Sequence, residues 1–151
     1  MMNNEQAIDK LQYLLGTLRD GEKGFAQAAD HADAPDLKTL FTERSQQRAT
    51  LAGEVAAKIQ GMGGDADKGG SVGAALHRTW LNMRDAVTGK GDYAVVAEAE
   101  RGEDVAIQNY QDVMNDAELP ADLRAFVDGQ YAQVKASHDE IRNLKHSMKP
   151  D

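Results

Sequence analysis

Three stripes of apolar residues at helical spacing run through this chain, and each is interrupted by an acid or a histidine. The first reads Leu11, Leu15, Leu18, Glu22, Phe25, Ala29. Steps of three and four residues trace one face of an α-helix, so Glu22 falls where a core residue is expected. The second reads Val96, Glu100, Glu103, Ile107, Tyr110, Met114, and the third Leu123, Val127, Tyr131, Val134, His138, Ile141. If the faces meet in one core, ionisable groups are buried together. Such groups must be paired, hydrogen-bonded, neutralised or bound to a metal.

The pattern between the stripes is helical throughout. An amphipathic helix is expected from Asn4 to His31, with a break at Asp33, Ala34, Pro35 and Asp36. Pro35 and Asp36 suit the first turn of a second helix, which runs to about Gln60. Its apolar side carries Leu37, Leu40, Leu51, Val55, Ile59 and Met62. A loop rich in glycine follows (Gly61, Gly63, Gly64, Gly69, Gly70). Ser71 then suits the cap of a shorter helix from Val72 to Val87, which carries Leu76, Trp80 and Met83. Gly89, Lys90 and Gly91 break it, and Asp92 is placed as an N-cap. A third long helix is expected from Tyr93 to about Ala117, and a fourth from Pro120 to about Lys145. No alternation of the β type competes.

Four long helices and one short one predict an all-α bundle in a single domain, residues 1–151. The short helix is long enough to run back along the bundle. The expected topology is therefore ferritin-like, with a short crossover helix between the second and third long helices, which run parallel. The alternative is an up-down-up-down bundle extended by the short helix. Counting residues from the two tight turns places Glu22, Glu103 and His138 near one level, about mid-bundle, and Arg44 at the depth of Glu22.

Composition narrows the partners. The 25 Asp and Glu outweigh 17 Lys and Arg for a net charge of -8. Nucleic acid and anionic membranes both need clustered cations, so neither is expected as a main partner. No apolar run is long enough to span a bilayer. No signal peptide is visible in Met1 to Lys10, and the chain has no cysteine, which together fit the cytoplasm. A homo-oligomer remains open. No nucleophile–base set, phosphate loop or dinucleotide fingerprint occurs, so no catalytic residue is assigned.

Several short runs have a familiar look. Glu100-Arg101-Gly102-Glu103-Asp104 followed by Tyr110, Arg48 with Leu51, His77-Arg78 with Trp80, and His138-Asp139 with Ile141 and Arg142 share their order and spacing with a family. The chain resembles, over nearly its whole length, a bacterial family of ferritin-like four-helix-bundle proteins of unknown function. The resemblance implies the parallel crossover and brings no activity with it. The wider ferritin-like group implies a di-iron or di-manganese centre with a Glu on each of two helices and Glu-x-x-His on the other two. Carried onto this chain, Glu22 matches on the first helix. Glu43 matches on the second, with Gln46 in place of the histidine. Glu103 matches on the third, with Glu100 as an alternative. His138 matches on the fourth, with Lys135 in place of the glutamate.

Two solutions to the buried charge therefore stay open. In one, Glu22, Glu43, Glu100, Glu103 and His138 hold Fe or Mn in an incomplete site, as hard oxygens and one imidazole would favour. In the other, Arg44 or Arg48 pairs with Glu22, Glu100 or Glu103 in an ion-pair layer of a non-enzymatic, structural or stress-associated protein. Asp139 is expected to point away from its neighbour His138. Trp80 is expected to anchor the crossover, His31 and His77 to lie at the surface or at helix ends, and Glu98 and Glu118 to be solvated.

Overall fold

The computed structural model describes residues 2–66 and 91–148, and in them the chain is all-α. Four helices are present among those residues: α1 (Asn4–His31), α2 (Pro35–Gly61), α3 (Asp92–Met114) and α4 (Ala121–Ser147). The short helix expected at Val72–Val87, with His77 and Trp80, lies outside the described residues.

The helix ends follow local chemistry. Asn3 caps α1 in a capping box with Gln6: each side chain accepts from the other's backbone N–H, at 2.8 and 2.9 Å. Pro35 opens α2, where a missing N–H costs nothing. Asp92 differs from expectation. It is the first residue of α3, behind Gly91 as N-cap, and its carboxylate reaches across to the α1–α2 turn. There it accepts from the backbone N–H groups of Asp33 (2.7 Å) and Ala34 (3.1 Å). Asp92 thereby satisfies two backbone donors of the turn just ahead of α2, whose N-cap Ala34 makes no side-chain cap bond.

Hydrogen bonds between helices set their directions. Ser45 donates to the Glu22 carbonyl, and Lys38 to that of Ala29, so α1 and α2 are antiparallel. Asn109 meets Tyr13 and Thr17 while Asp92 meets Asp33, so α1 and α3 are antiparallel. Tyr110 meets Gln130 and Asp104 meets His138, so α3 and α4 are antiparallel as well. Both α2 and α3 oppose α1, so they run the same way.

The core is in two parts. One apolar cluster includes Leu11, Leu14, Leu18, Leu51, Val55, Tyr110, Val127 and Val134. The other includes Phe25, Leu37, Phe41, Val95, Ala99 and Ile141. On every helix the boundary falls at one residue or its immediate neighbourhood: Gly21 on α1, Arg48 on α2, Glu103 on α3 and Ser137 on α4. All four are buried.

The helical stripes are correct in period and shifted in phase on three helices; on α3, Glu100, Ile107 and Met114 are half-buried while Ala99, Ala106 and Val113 are buried. On α4 the buried line is Leu123, Val127, Gln130, Val134, Ser137, Ile141, with Tyr131 and His138 half-buried beside it. On α1, Gly21 is buried and Glu22 is half-buried. Hydropathy favours Tyr131 over Gln130, but Gln130 has partners in the core that no hydropathy scale can see.

Candidate functional site

The layer between the two apolar clusters is the most demanding feature of the molecule. Arg48 and Glu103 lie on α2 and α3, and their side chains are 1% and 0% exposed. Arg48 Nη1 donates to Glu103 Oε1 at 2.6 Å, and Nη2 to Oε2 at 2.9 Å. This is the two-pronged pairing that a planar guanidinium makes with a carboxylate. Ser137 on α4 adds a third hydrogen bond, donating to Glu103 Oε2 at 2.8 Å. From α1, the Phe25 ring lies under the guanidinium, 5.2 Å from its central carbon. Gly21 packs beside the Arg48 side chain: a Cβ there would stand 3.4 Å from Nη1 and 3.6 and 3.7 Å from Cγ and Cδ, ordinary van der Waals contact. Each helix thus contributes one group to a single cation–carboxylate unit.

Polar contacts extend from this unit toward the Leu-rich cluster. Tyr110, two turns beyond Glu103 on α3, donates to Gln130 Oε1 at 2.9 Å. Gln130 Nε2 donates onward to the Leu51 carbonyl (3.1 Å) and Glu54 Oε1 (3.2 Å). Burial pushes the Tyr110 hydroxyl far up, the Arg48 charge opposes this and Glu54 reinforces it, so Tyr110 remains a donor. Nearer α1, Tyr13 donates to Asn109 Oδ1 at 2.6 Å, and Asn109 donates to Thr17 at 3.1 Å.

At the edge of the layer, His138 is half-buried and faces two carboxylates. Its Nε2 lies 2.6 Å from Asp104 Oδ1 on α3, and its Nδ1 lies 3.0 Å from Asp139 Oδ1. Asp139 does not point away from the ring as the sequence suggests. It bends back along the helix surface, where Lys135 also holds it at 2.7 Å. Burial alone would lower the His138 pKa. The carboxylates of Asp139 and Asp104, with Glu103 behind them, overcome burial and raise it above the ordinary 6.5. The same contacts hold Asp139 below its usual range, Lys135 first and His138 second.

The remaining candidate ligands are dispersed. The Glu22 side chain is half-buried, and its carbonyl takes the Ser45 hydroxyl. Glu43 is exposed on α2. Glu100 is half-buried and meets Lys145 Nζ at 3.4 Å. Arg44 pairs with Glu140 on α4, a residue outside every sequence-derived stripe. Glu98, expected to be solvated, is buried on α3 and pairs with Arg101 one turn along the same helix. Both oxygens of Glu103 are taken up by a cation and a hydroxyl. Among the described residues, no three His, Asp or Glu side chains form a group able to hold a metal ion. As arranged, the donors do not fit a ferritin-type di-metal centre. Ser137, Gly21 and Gln130 escape a search for site residues because they are small or neutral. The signal that finds them is the heptad line itself, on which they stand among leucines and valines.

No described helix is long and apolar enough to cross a membrane. Among the described residues, these observations define an all-α arrangement of four helices with a polar layer at mid-length. The chain belongs to the family described as Domain of unknown function (DUF2383), whose model matches residues 6–116. That match takes in α1, α2 and α3 and stops short of α4, which brings Ser137, His138 and Gln130. No curated protein matches the chain.

Proposed function

We propose that this chain is a ferritin-like bundle without enzymatic activity, in which an ion-pair layer takes the place of a metal centre and fixes how the four helices pair. The observation that carries this reading is the fork between Arg48 and Glu103, closed by Ser137 and covered by apolar clusters on both sides. Buried pairs of this kind add little net stability over apolar residues of equal volume, but they penalise any arrangement that leaves one charge alone. A structural role follows, with helix register as its product. The shared direction of α2 and α3, the resemblance of the short motifs and the two tight hairpins support the ferritin-like topology.

Metal analysis of protein purified without chelator tests the reading. We expect much less than one equivalent of Fe or Mn per chain, and little shift in melting temperature on adding Fe²⁺. A ligand stabilises only through its affinity for the folded form. Two equivalents of bound metal, lost on Glu103→Gln, would establish the redox alternative.

A further inference from the structure

We infer that the middle of the bundle is a socket selective for guanidinium, which the head group of Arg48 fills in the intact chain. This rests on the ion-pair reading above and goes beyond it. An ion-pair layer needs only a cation opposite Glu103. The geometry here asks for one shape of cation.

Four observations specify that shape. Glu103 presents its two oxygens side by side to two nitrogens, at 2.6 and 2.9 Å, and only a planar cation with two parallel N–H donors satisfies both at once. An ammonium would meet one oxygen, or straddle both poorly. The Phe25 ring 5.2 Å from Cζ offers a flat face to a flat cation. Ser137 binds Oε2 from α4 and holds the carboxylate plane against rotation, which makes it a positioning residue. The whole site is closed to solvent, so a mismatched cation has no water to complete its hydrogen bonds.

The test empties the socket and offers it free cations. Arg48→Ala removes everything beyond Cβ, and the removed fragment corresponds to N-ethylguanidinium. Low concentrations of N-ethylguanidinium chloride should raise the melting temperature of Arg48→Ala in a saturable way. A fivefold excess over Kd gives a rise of about 3 °C in a chain of this size. Ethylammonium and sodium at equal ionic strength should give no such rise, and the unmodified protein, whose socket is full, should not respond. Arg48→Lys should melt well below the unmodified protein. Should Arg48→Ala fail to fold, N-ethylguanidinium should restore its helical circular dichroism, and ethylammonium should not. The folded reference is Arg48→Ala/Glu103→Gln, which has no charge left alone; it should gain nothing from the ligand. Equal stabilisation by ethylammonium, no response to either cation, or an equal response of the double variant would overturn the socket. So would stronger stabilisation of Arg48→Ala by Mn²⁺ than by N-ethylguanidinium. None of these results bears on the metal content of the unmodified protein, which judges the proposed function separately.

Discussion

Glu103 and Arg48 depend on each other far more than the fold depends on the pair. Truncating Glu103 to leucine leaves a guanidinium buried with no counter-charge, and the expected cost is about 3–5 kcal/mol. Arg48→Met together with Glu103→Leu should recover most of that loss, because two apolar side chains would join the clusters on either side. Urea unfolding of the single and double variants measures the coupling. If the double variant is no more stable than Glu103→Leu alone, the two residues are not acting as a pair.

His138 is a different kind of residue, since its contribution depends on a proton. A carboxylate oxygen faces each ring nitrogen, and both nitrogens donate only when the ring is charged. Its folded pKa is raised, so the stability it contributes is fully present below about pH 6.5 and is lost as pH rises through the higher folded value. Asp104 is largely exposed, which keeps the magnitude at roughly 0.5–1 kcal/mol. His138→Asn should abolish that portion of the pH dependence. Urea midpoints measured from pH 5.5 to 8.5 for both proteins check it; parallel curves would remove His138 from the explanation.

At the scale of elements, the four long helices were legible in the sequence almost to their ends, because apolar period and proline placement are local signals. α1 begins and ends where its stripe and its break predict. What local pattern could not supply was phase. Glu22 and Gly21 are neighbours on a helix, and hydropathy cannot say that the glycine turns inward, beside an arginine from another helix. In the same way Ser137 and Gln130 stand beside the stripe through Tyr131 and His138, and their burial is accounted for only once Glu103 and Tyr110 are placed opposite them. The depth count along the helices succeeded where the choice of face did not, since depth depends only on rise per residue. It brought Arg44 and Glu22 to one level, and Ser45 does bond to Glu22.

Asp92 shows the same limit at a helix end. As a residue before a helical stripe it reads as a cap for its own helix, yet it serves the start of α2. Asp92→Ala should leave the Asp33 and Ala34 N–H groups without acceptors and cost about 1 kcal/mol. Amide hydrogen exchange should locate the effect: protection is expected to fall at Asp33 and Ala34 and to hold in the first turn of α3. Fraying of α3 instead would mean that Asp92 works as an ordinary cap.

For the whole molecule, the layer couples the helices more tightly than either apolar cluster does. Leucines and valines tolerate small slips, because one apolar neighbour replaces another. A fork with two prongs, a hydroxyl and a ring face does not. One alanine inserted after Gly53, where the helix surface is open, turns the rest of α2 by about 100° relative to Arg48. The Leu-rich cluster and the layer can then no longer both be satisfied. We expect that variant to lose cooperative thermal unfolding by circular dichroism, and an alanine inserted at Glu118, in the α3–α4 turn, to keep it. Two cooperative transitions of equal midpoint would show that the layer does not transmit register.

The four groups that meet at Gly21, Arg48, Glu103 and Ser137 also act as a proofreading mark on the gene. Each helix must deliver its residue at a fixed distance from its ends, so a codon gained or lost inside any one of them is exposed at once, whatever the hydropathy of the residue it adds. Length variation in descendants that keep the layer is then confined to the turns, and the helices drift by substitution alone.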